Sequence, residues 1–356
     1  MTDPRARALA LRDQFVAAGA VVVDPPVLQS AELLLDLYGE DIRSRAYVTS
    51  DAMRGEQMLR PDFTVPVVQM HMAHGAEPAR YTYAGEVFRR QEDDPDRASE
   101  YVQVGYEVFD RTDPAAADAE VFSLMSQAVA PLGLRAATGD IGILMAAVEG
   151  LNTSERRKVA LRRHIWRPRR FRALLDRFGG RVPVPDGRTA LLAGAVSSGA
   201  PLTGLRSQSE IDARIQALRD DAAEGPISAA ELEGFDALLS VRETLPFALS
   251  QLRDLAVDLP AIAQAVTRVE ARAQALAVRG VDVDALDFET SYGRTSMEYY
   301  DGFVFGFYCE SRPDLPPVAT GGRYDALTRR LGGGVEIPAV GAVLRPDLMV
   351  ALEGVA

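Results

Sequence analysis

Residues 79–110 read ARYTYAGEVFRR (79–90), QEDDPDRA (91–98) and SEYVQVGYEVFD (99–110). The two flanks are rich in aromatic and β-branched residues, and the middle is polar and contains a proline. The stretch therefore predicts an antiparallel hairpin with a long loop. Side chains alternate along a strand, so Gln103, Gly105 and Glu107 share one face while Val102, Val104, Tyr106 and Val108 share the other. In the first strand Tyr81, Tyr83, Gly85, Val87 and Arg89 lie together. A glycine inside a strand weakens it, and close approach by a ligand is one reason to have it there. Alternation alone makes the Gln103–Glu107 face the solvated side of an antiparallel sheet and Arg89 a surface residue.

On the N-terminal side, Ala8, Leu11, Phe15 and Ala18 recur every three or four residues after Pro4 and are followed by Gly19, which predicts an amphipathic helix with a glycine stop. A short strand at Val21–Val23 runs into Pro25 and Pro26. Arg60-Pro61-Asp62-Phe63-Thr64 precedes a helix carrying Val67, Met70 and His71, with Asp62 placed to cap it. On the C-terminal side, MEYYDGFVFGFY (297–308), GGRYDALTRRLGG (321–333) and IPAVGAVL (337–344) alternate strand-like with helix-like stretches. Gly321-Gly322-Arg323-Tyr324-Asp325 reads as a flexible turn opening a helix, able to hold an anion on backbone amides. The fold class is thus α+β, a mainly antiparallel sheet flanked by helices.

From Leu151 to about Leu276 the chain turns to Ala, Leu, Arg and Glu. Ser228 and Glu231 form a capping box ahead of Leu232, Phe235, Leu238 and Leu239. This is read as a helical insertion, 151–275, dividing a core made of residues 1–150 and 276–356. Ten basic residues between Ser154 and Arg177 stand against only Glu155 and Asp176, so the rest of a chain of net charge −12 carries −20. Trp166, the one tryptophan, lies among them. Arginine beside an aromatic suits a protein interface or a nucleic acid, and equally a solvated helix face.

The 356 residues are 47% apolar and 25% charged, which excludes a disordered or collagen-like chain, and the length implies two domains or one with a large insertion. Cys309 is the only cysteine, so no internal disulfide can form. With His71, His74 and His164 it makes a poor zinc set, and neither metal nor cofactor is expected. No apolar run of membrane-spanning length occurs, and the N-terminus lacks a signal peptide's apolar stretch, so a cytoplasmic protein is expected.

In this order and spacing the pieces resemble the histidyl-tRNA synthetase family of the class II synthetase-like fold, over residues 1–150 and about 280–356. PPVLQ (25–29) resembles the end of motif 1, which in that family forms the dimer interface, so self-association through this region is implied. LRPDFT (59–64) resembles LRPEGT. The hairpin resembles motif 2, MEYYDGFVF (297–305) the histidine-specific LDYYxxxVF, and PAVGAVL (338–344) the opening of motif 3. The resemblance implies a histidine pocket in which Asp62, Gln103 and Tyr324 hold the α-amino group while Glu107 and Tyr300 contact the imidazole. Asp62 stands where the family has Glu, one methylene longer.

The catalytic set is depleted. Activating an amino acid with ATP needs cations placed about the polyphosphate. Arg89 and Arg97 match two such arginines of motif 2, but Glu92 replaces another, and Asp93, Asp94 and Asp96 add repulsion. Thr295 and Leu348 fall where the family has its catalytic and γ-phosphate arginines, and nearby Arg294 and Arg345 are not expected to replace them. An anticodon-binding domain is not expected either, so tRNA is an improbable partner. These departures resemble the paralogous regulatory subunits of short-form ATP phosphoribosyltransferase. They imply a non-catalytic subunit that joins the short catalytic subunit HisG, supports the first step of histidine biosynthesis and takes L-histidine as inhibitory effector. An adenylate-forming enzyme is the alternative, and a nucleic-acid-binding module a weaker third.

Overall fold

The computed structural model describes residues 3–38, 42–91, 97–194, 203–294 and 299–354. The hairpin is present as β5 (Ala79–Phe88) and β6 (Glu100–Phe109), antiparallel over ten paired positions from Ala79↔Phe109 to Phe88↔Glu100. Before it come β1 (Val21–Val22), β2 (Leu28–Ser30), β3 (Val48–Asp51) and β4 (Gly55–Leu59). After it come β7 (Arg135–Asp140), β8 (Arg242–Thr244), β9 (Asp287–Glu289), β10 (Phe303–Tyr308), β11 (Ala319–Arg323) and β12 (Ala339–Leu344). One nine-stranded sheet runs β1-β5-β6-β12-β11-β10-β7-β9-β8, and β2-β4-β3 form a small second sheet. Only the β1–β5 and β7–β9 pairs are parallel, so the mainly antiparallel expectation holds.

Helix α1 (Pro4–Ala17) starts where the Asp3 carboxylate accepts from the Arg5 amide, and it buries Ala8, Leu11 and Phe15. Gly19 then takes a φ of +100°, which ends the helix at little cost only for glycine. Helices α2 (Ala31–Tyr38), α3 (Ile42–Arg45) and α4 (Thr64–His74) precede the hairpin, and α5 (Pro114–Val129) follows it. The apolar face of β6 packs on α1, with the Phe15 and Tyr106 rings 5.4 Å apart, while Phe122 of α5 lies against Phe305 of β10 at 5.1 Å.

The middle of the chain is helical: α6 (Ile141–Gly150), α7 (Glu155–Arg163), α8 (Pro168–Phe178), α9 (Asp186–Leu192), α10 (Gln208–Ala223) and α11 (Ala229–Ser240), then α12 (Leu245–Asp258) and α13 (Ala263–Val278). The capping box at Ser228 and Glu231 forms, and Leu232, Phe235 and Leu238 are buried behind it. Helix α13 lies along α5. Its buried Arg272 donates to Asp118 at 3.3 Å and to Asp140, and Asp118 also accepts from Arg323 at 2.7 Å. A buried cation held by two carboxylates thereby joins the helical segment to both the N- and C-terminal parts of the sheet.

Helices α14 (Asp325–Leu331) and α15 (Pro346–Glu353) complete the described chain. Gly321 and Gly322 do not form a turn: they are interior residues of β11. A Cβ on Gly321 would stand 2.4 Å from the Phe305 ring, and one on Gly322 would stand 2.6 Å from that of Tyr300, so glycine is required by packing. Nor is an anion held at the start of α14, because the Asp301 carboxylate already accepts from the Asp325 and Ala326 amides, at 3.1 and 2.6 Å.

Candidate functional site

The Gln103–Glu107 face does not meet solvent. Gln103 is 1% and Glu107 0% exposed, which overturns the reading from alternation. The reason is tertiary: α4 and the helical segment cover this face, and between them and the sheet lies a cavity of about 800 Å³. Register sets the sheet face on which it rests. Gly105 pairs with Tyr83 on one side and Val343 on the other, while Glu107 pairs with Tyr81 and Gly341, so these residues share the face of Gln103. The close approach that Gly105 permits is made by Tyr83, not by a ligand: a Cβ would be 2.3 Å from the Tyr83 hydroxyl.

Asp62, Gln103 and Tyr300 line the cavity together with Thr64 and Arg89. Asp62, one residue before the N-cap of α4, accepts from the Val65 amide at 3.4 Å and so also caps the helix, as its position suggested. The Gln103 carbonyl oxygen is buried and has no hydrogen-bond partner among the described residues. Tyr300 lies with its ring against Gly322, and burial pushes its hydroxyl pKa up.

Glu107 and Tyr324 are not among the cavity-lining residues. They are buried next to it and bonded to each other, the Tyr324 hydroxyl donating to Oε2 at 2.6 Å. Oε1 accepts from Thr64 at 3.0 Å and from Tyr83 at 2.9 Å. No cation pairs with Glu107 among the described residues, and burial, the largest cause, raises its pKa to about 7 despite the three hydroxyls. Thr64 both lines the cavity and donates to Glu107, and residue periodicity gave no sign of it.

The cavity is also basic. Arg45, Arg89, Arg294 and Arg345 line it, while Arg172, also in the lining, pairs with Asp236. Arg89 donates to the Pro61 carbonyl at 2.7 Å and is not a surface arginine. Arg294 donates through Nε to the Ile165 carbonyl at 2.8 Å and lies 4.8 Å above the Phe171 ring, and burial lowers its pKa to about 10. Burial lowers Arg345 too, with Arg89 and Arg97 adding to the effect. Arg97 itself is exposed and outside the cavity lining. Leu348 is half-buried against the core, and Thr295, Glu92, Asp93, Asp94 and Asp96 lie outside the described residues. The roof comes from the helical segment through Pro168, Phe171 and Leu239. Arg45 and these roof residues carry no local sequence signal, since only tertiary packing brings them here.

His71 is a packing residue. It is 1% exposed, stacks on Phe109 at 4.0 Å and lies 3.1 Å through Nδ1 from the Tyr81 hydroxyl, while His74 is exposed. Among the described residues no three His, Cys, Asp or Glu side chains are grouped to hold a metal, and no helix is long and apolar enough to cross a membrane.

The sequence model of the histidyl-tRNA synthetase family matches residues 5–348. Proteins named ATP phosphoribosyltransferase regulatory subunit from Brucella ovis and Brucella abortus are each 32% identical, over 97% of this chain and 96% of theirs. Among solved structures, an ATP phosphoribosyltransferase regulatory subunit/histidyl-tRNA synthetase from Bacillus halodurans superposes with a TM-score of 0.69 at 21% identity, covering 98% of this chain and 78% of that one. Histidyl-tRNA synthetase from Nostoc sp. PCC 7120 gives 0.64 at 15% identity, covering 97% and 70%. The chain belongs to the histidyl-tRNA synthetase-like family and, within it, to the ATP phosphoribosyltransferase regulatory subunits.

Proposed function

We propose that this chain is a non-catalytic, cytoplasmic subunit that binds L-histidine in the cavity between the sheet and the helical segment, and that it sets the activity of the short catalytic subunit HisG accordingly. The observation that carries this is the buried Gln103 carbonyl oxygen, unpaired among the described residues, in a cavity that the Asp62 carboxylate also lines. A buried acceptor left without a donor costs roughly 1–3 kcal/mol, and an α-ammonium group supplies that donor together with the charge that Asp62 favours. Tyr300 lies on the same wall, and the Glu107 network beside it offers the polar contact an imidazole needs, reached through Thr64 or by a small shift of Tyr324. Inhibition follows to the extent that histidine binds one state of the complex more tightly than the other, and a typical coupling of about 1–3 kcal/mol changes affinity about 5- to 150-fold. Self-association through the motif 1 region, where Val21, Val22 and Leu28 are exposed, belongs to the same proposal.

The deciding experiment mixes the chain with a short HisG and measures phosphoribosyl transfer with and without histidine. Activation by the chain together with inhibition by histidine is expected, and an unchanged rate in both conditions would sink the reading. The four wall arginines support a second reading, an amino-acid-activating enzyme, because they could hold a polyphosphate. Robust histidine-dependent exchange of pyrophosphate into ATP would establish that alternative instead.

A further inference from the structure

The basic stretch Ser154–Arg177 separates into two populations. Arg157 is buried against Asp221 at 2.7 Å, Arg162 pairs with Glu155, Arg177 with Asp221 at 3.0 Å and Arg172 with Asp236. These are internal pairs: Arg157, Arg177 and Arg172 hold α7 and α8 to α10 and α11, and the Arg162 pair lies within α7. By contrast Arg163, Arg169 and Arg170, at the turn between α7 and α8, are exposed and have no carboxylate within ion-pair distance among the described residues. The two acids of the stretch are already engaged, Glu155 by Arg162 and Asp176 by Arg181. The His164 pKa is held down first by burial and then by the charges of Arg170, Arg167 and Arg163.

The same turn is fastened to the cavity from inside. Arg294, on the cavity wall, donates to the carbonyl of Ile165 in the turn and stacks over Phe171 of α8, and its Nη2 is buried without a partner among the described residues. Pro168 and Phe171 line the cavity on one side of α8, while Arg169 and Arg170 point from its other side. A group that engages Arg294 in the cavity therefore acts on the segment that carries the exposed charges.

We propose that the α7–α8 turn is a docking surface for an acidic patch of the catalytic subunit, and that Arg294 and Phe171 couple this surface to the cavity. The proposal rests on the regulatory reading given above. A protein patch fits better than a nucleic acid, because the basic area is confined to Ser154–Arg177 in a chain whose remainder carries −20. An extended polyanion would run onto that acidic surface and be repelled.

The test measures association of the full chain with a short catalytic subunit, comparing wild type with a triple variant carrying Arg163→Glu, Arg169→Glu and Arg170→Glu. The three side chains make no ion pairs among the described residues, so histidine binding and thermal melting of the isolated variant should match wild type. Its affinity for the catalytic subunit should fall about tenfold or more, and wild-type affinity should weaken as salt is raised. The corresponding triple Lys variant should retain association. In Arg294→Gln, assembly should persist while its dependence on histidine disappears. Unchanged affinity of the triple Glu variant, or salt-independent association of the wild type, overturns the surface, and a full histidine response in Arg294→Gln overturns the coupling. If the triple Glu variant loses self-association or tRNA binding and keeps the catalytic subunit, the turn belongs to a second copy or to RNA and the proposal falls. A wild-type chain that never associates with the catalytic subunit removes the regulatory reading itself.

Discussion

The Gln103 carbonyl oxygen separates stability from binding at a single atom. In Gln103→Leu the unpaired acceptor is replaced by an apolar group of similar size, so the free protein should melt at or slightly above the wild-type temperature. Histidine affinity, read by titration calorimetry, should fall about tenfold or more with loss of the acceptor. A loss of both would mean that Gln103 holds the fold. Glu107 makes a different prediction. Its pKa in the fold is about 7, against 4.5 unperturbed, so between these values the folded state holds a proton that the unfolded chain has released. Stability from this group is therefore greatest below pH 4.5, declines as pH rises to about 7 and is constant above it. The full decline is on the order of 3 kcal/mol. Glu107→Gln should flatten that part of the melting-temperature profile, and an unaltered profile would assign the slope to other groups.

At the scale of elements, the helical segment is fixed to the sheet by Arg272. Removing the guanidinium leaves Asp140 and Asp118 buried with less compensation, so Arg272→Met should cost about 3–5 kcal/mol in denaturant unfolding. A cost below about 1 kcal/mol would show that water or Arg268 relieves the carboxylates. Much of the element list was legible in the sequence. The hairpin, α1 with its glycine stop, the Ser228 capping box and the helical middle follow from local patterns that packing does not override. What failed were inferences from pattern to environment. Alternation put Glu107 and Gln103 together correctly but placed them in solvent, because the covering helix lies far away in the sequence. Gly321-Gly322 has the composition of a turn, and only the Phe305 and Tyr300 rings show why glycine stands inside a strand. The candidate site divides the same way. Asp62, Gln103, Glu107, Tyr300 and Tyr324 were identifiable from motif resemblance, and they lie on or beside one cavity. Arg45 and Phe171 carried no motif and become visible only when the chain closes, and Thr64 lay inside LRPDFT without any sign that its hydroxyl reaches Glu107.

For the whole molecule, the sheet interleaves distant parts of the chain. Strand β12 pairs with β6 from Ala339↔Phe109 to Leu344↔Val104 and with β11 on its other side, so a strand near residue 340 is central and one near residue 105 depends on it. This arrangement governs how the protein can be made. During synthesis the hairpin emerges more than two hundred residues before its partner β12, and at about 5–20 residues per second its open edge waits on the order of ten seconds or more. Over that interval β6 presents a row of unpaired backbone groups along one edge, the condition in which sheet edges capture other chains. A chain cut before Pro338 should remain in that state. It should appear as an aggregation-prone species without a cooperative melt, while supplying residues 338–354 as a separate peptide should recover soluble material. Vectorial synthesis thus makes this protein dependent on protection of its hairpin edge until its last strand arrives.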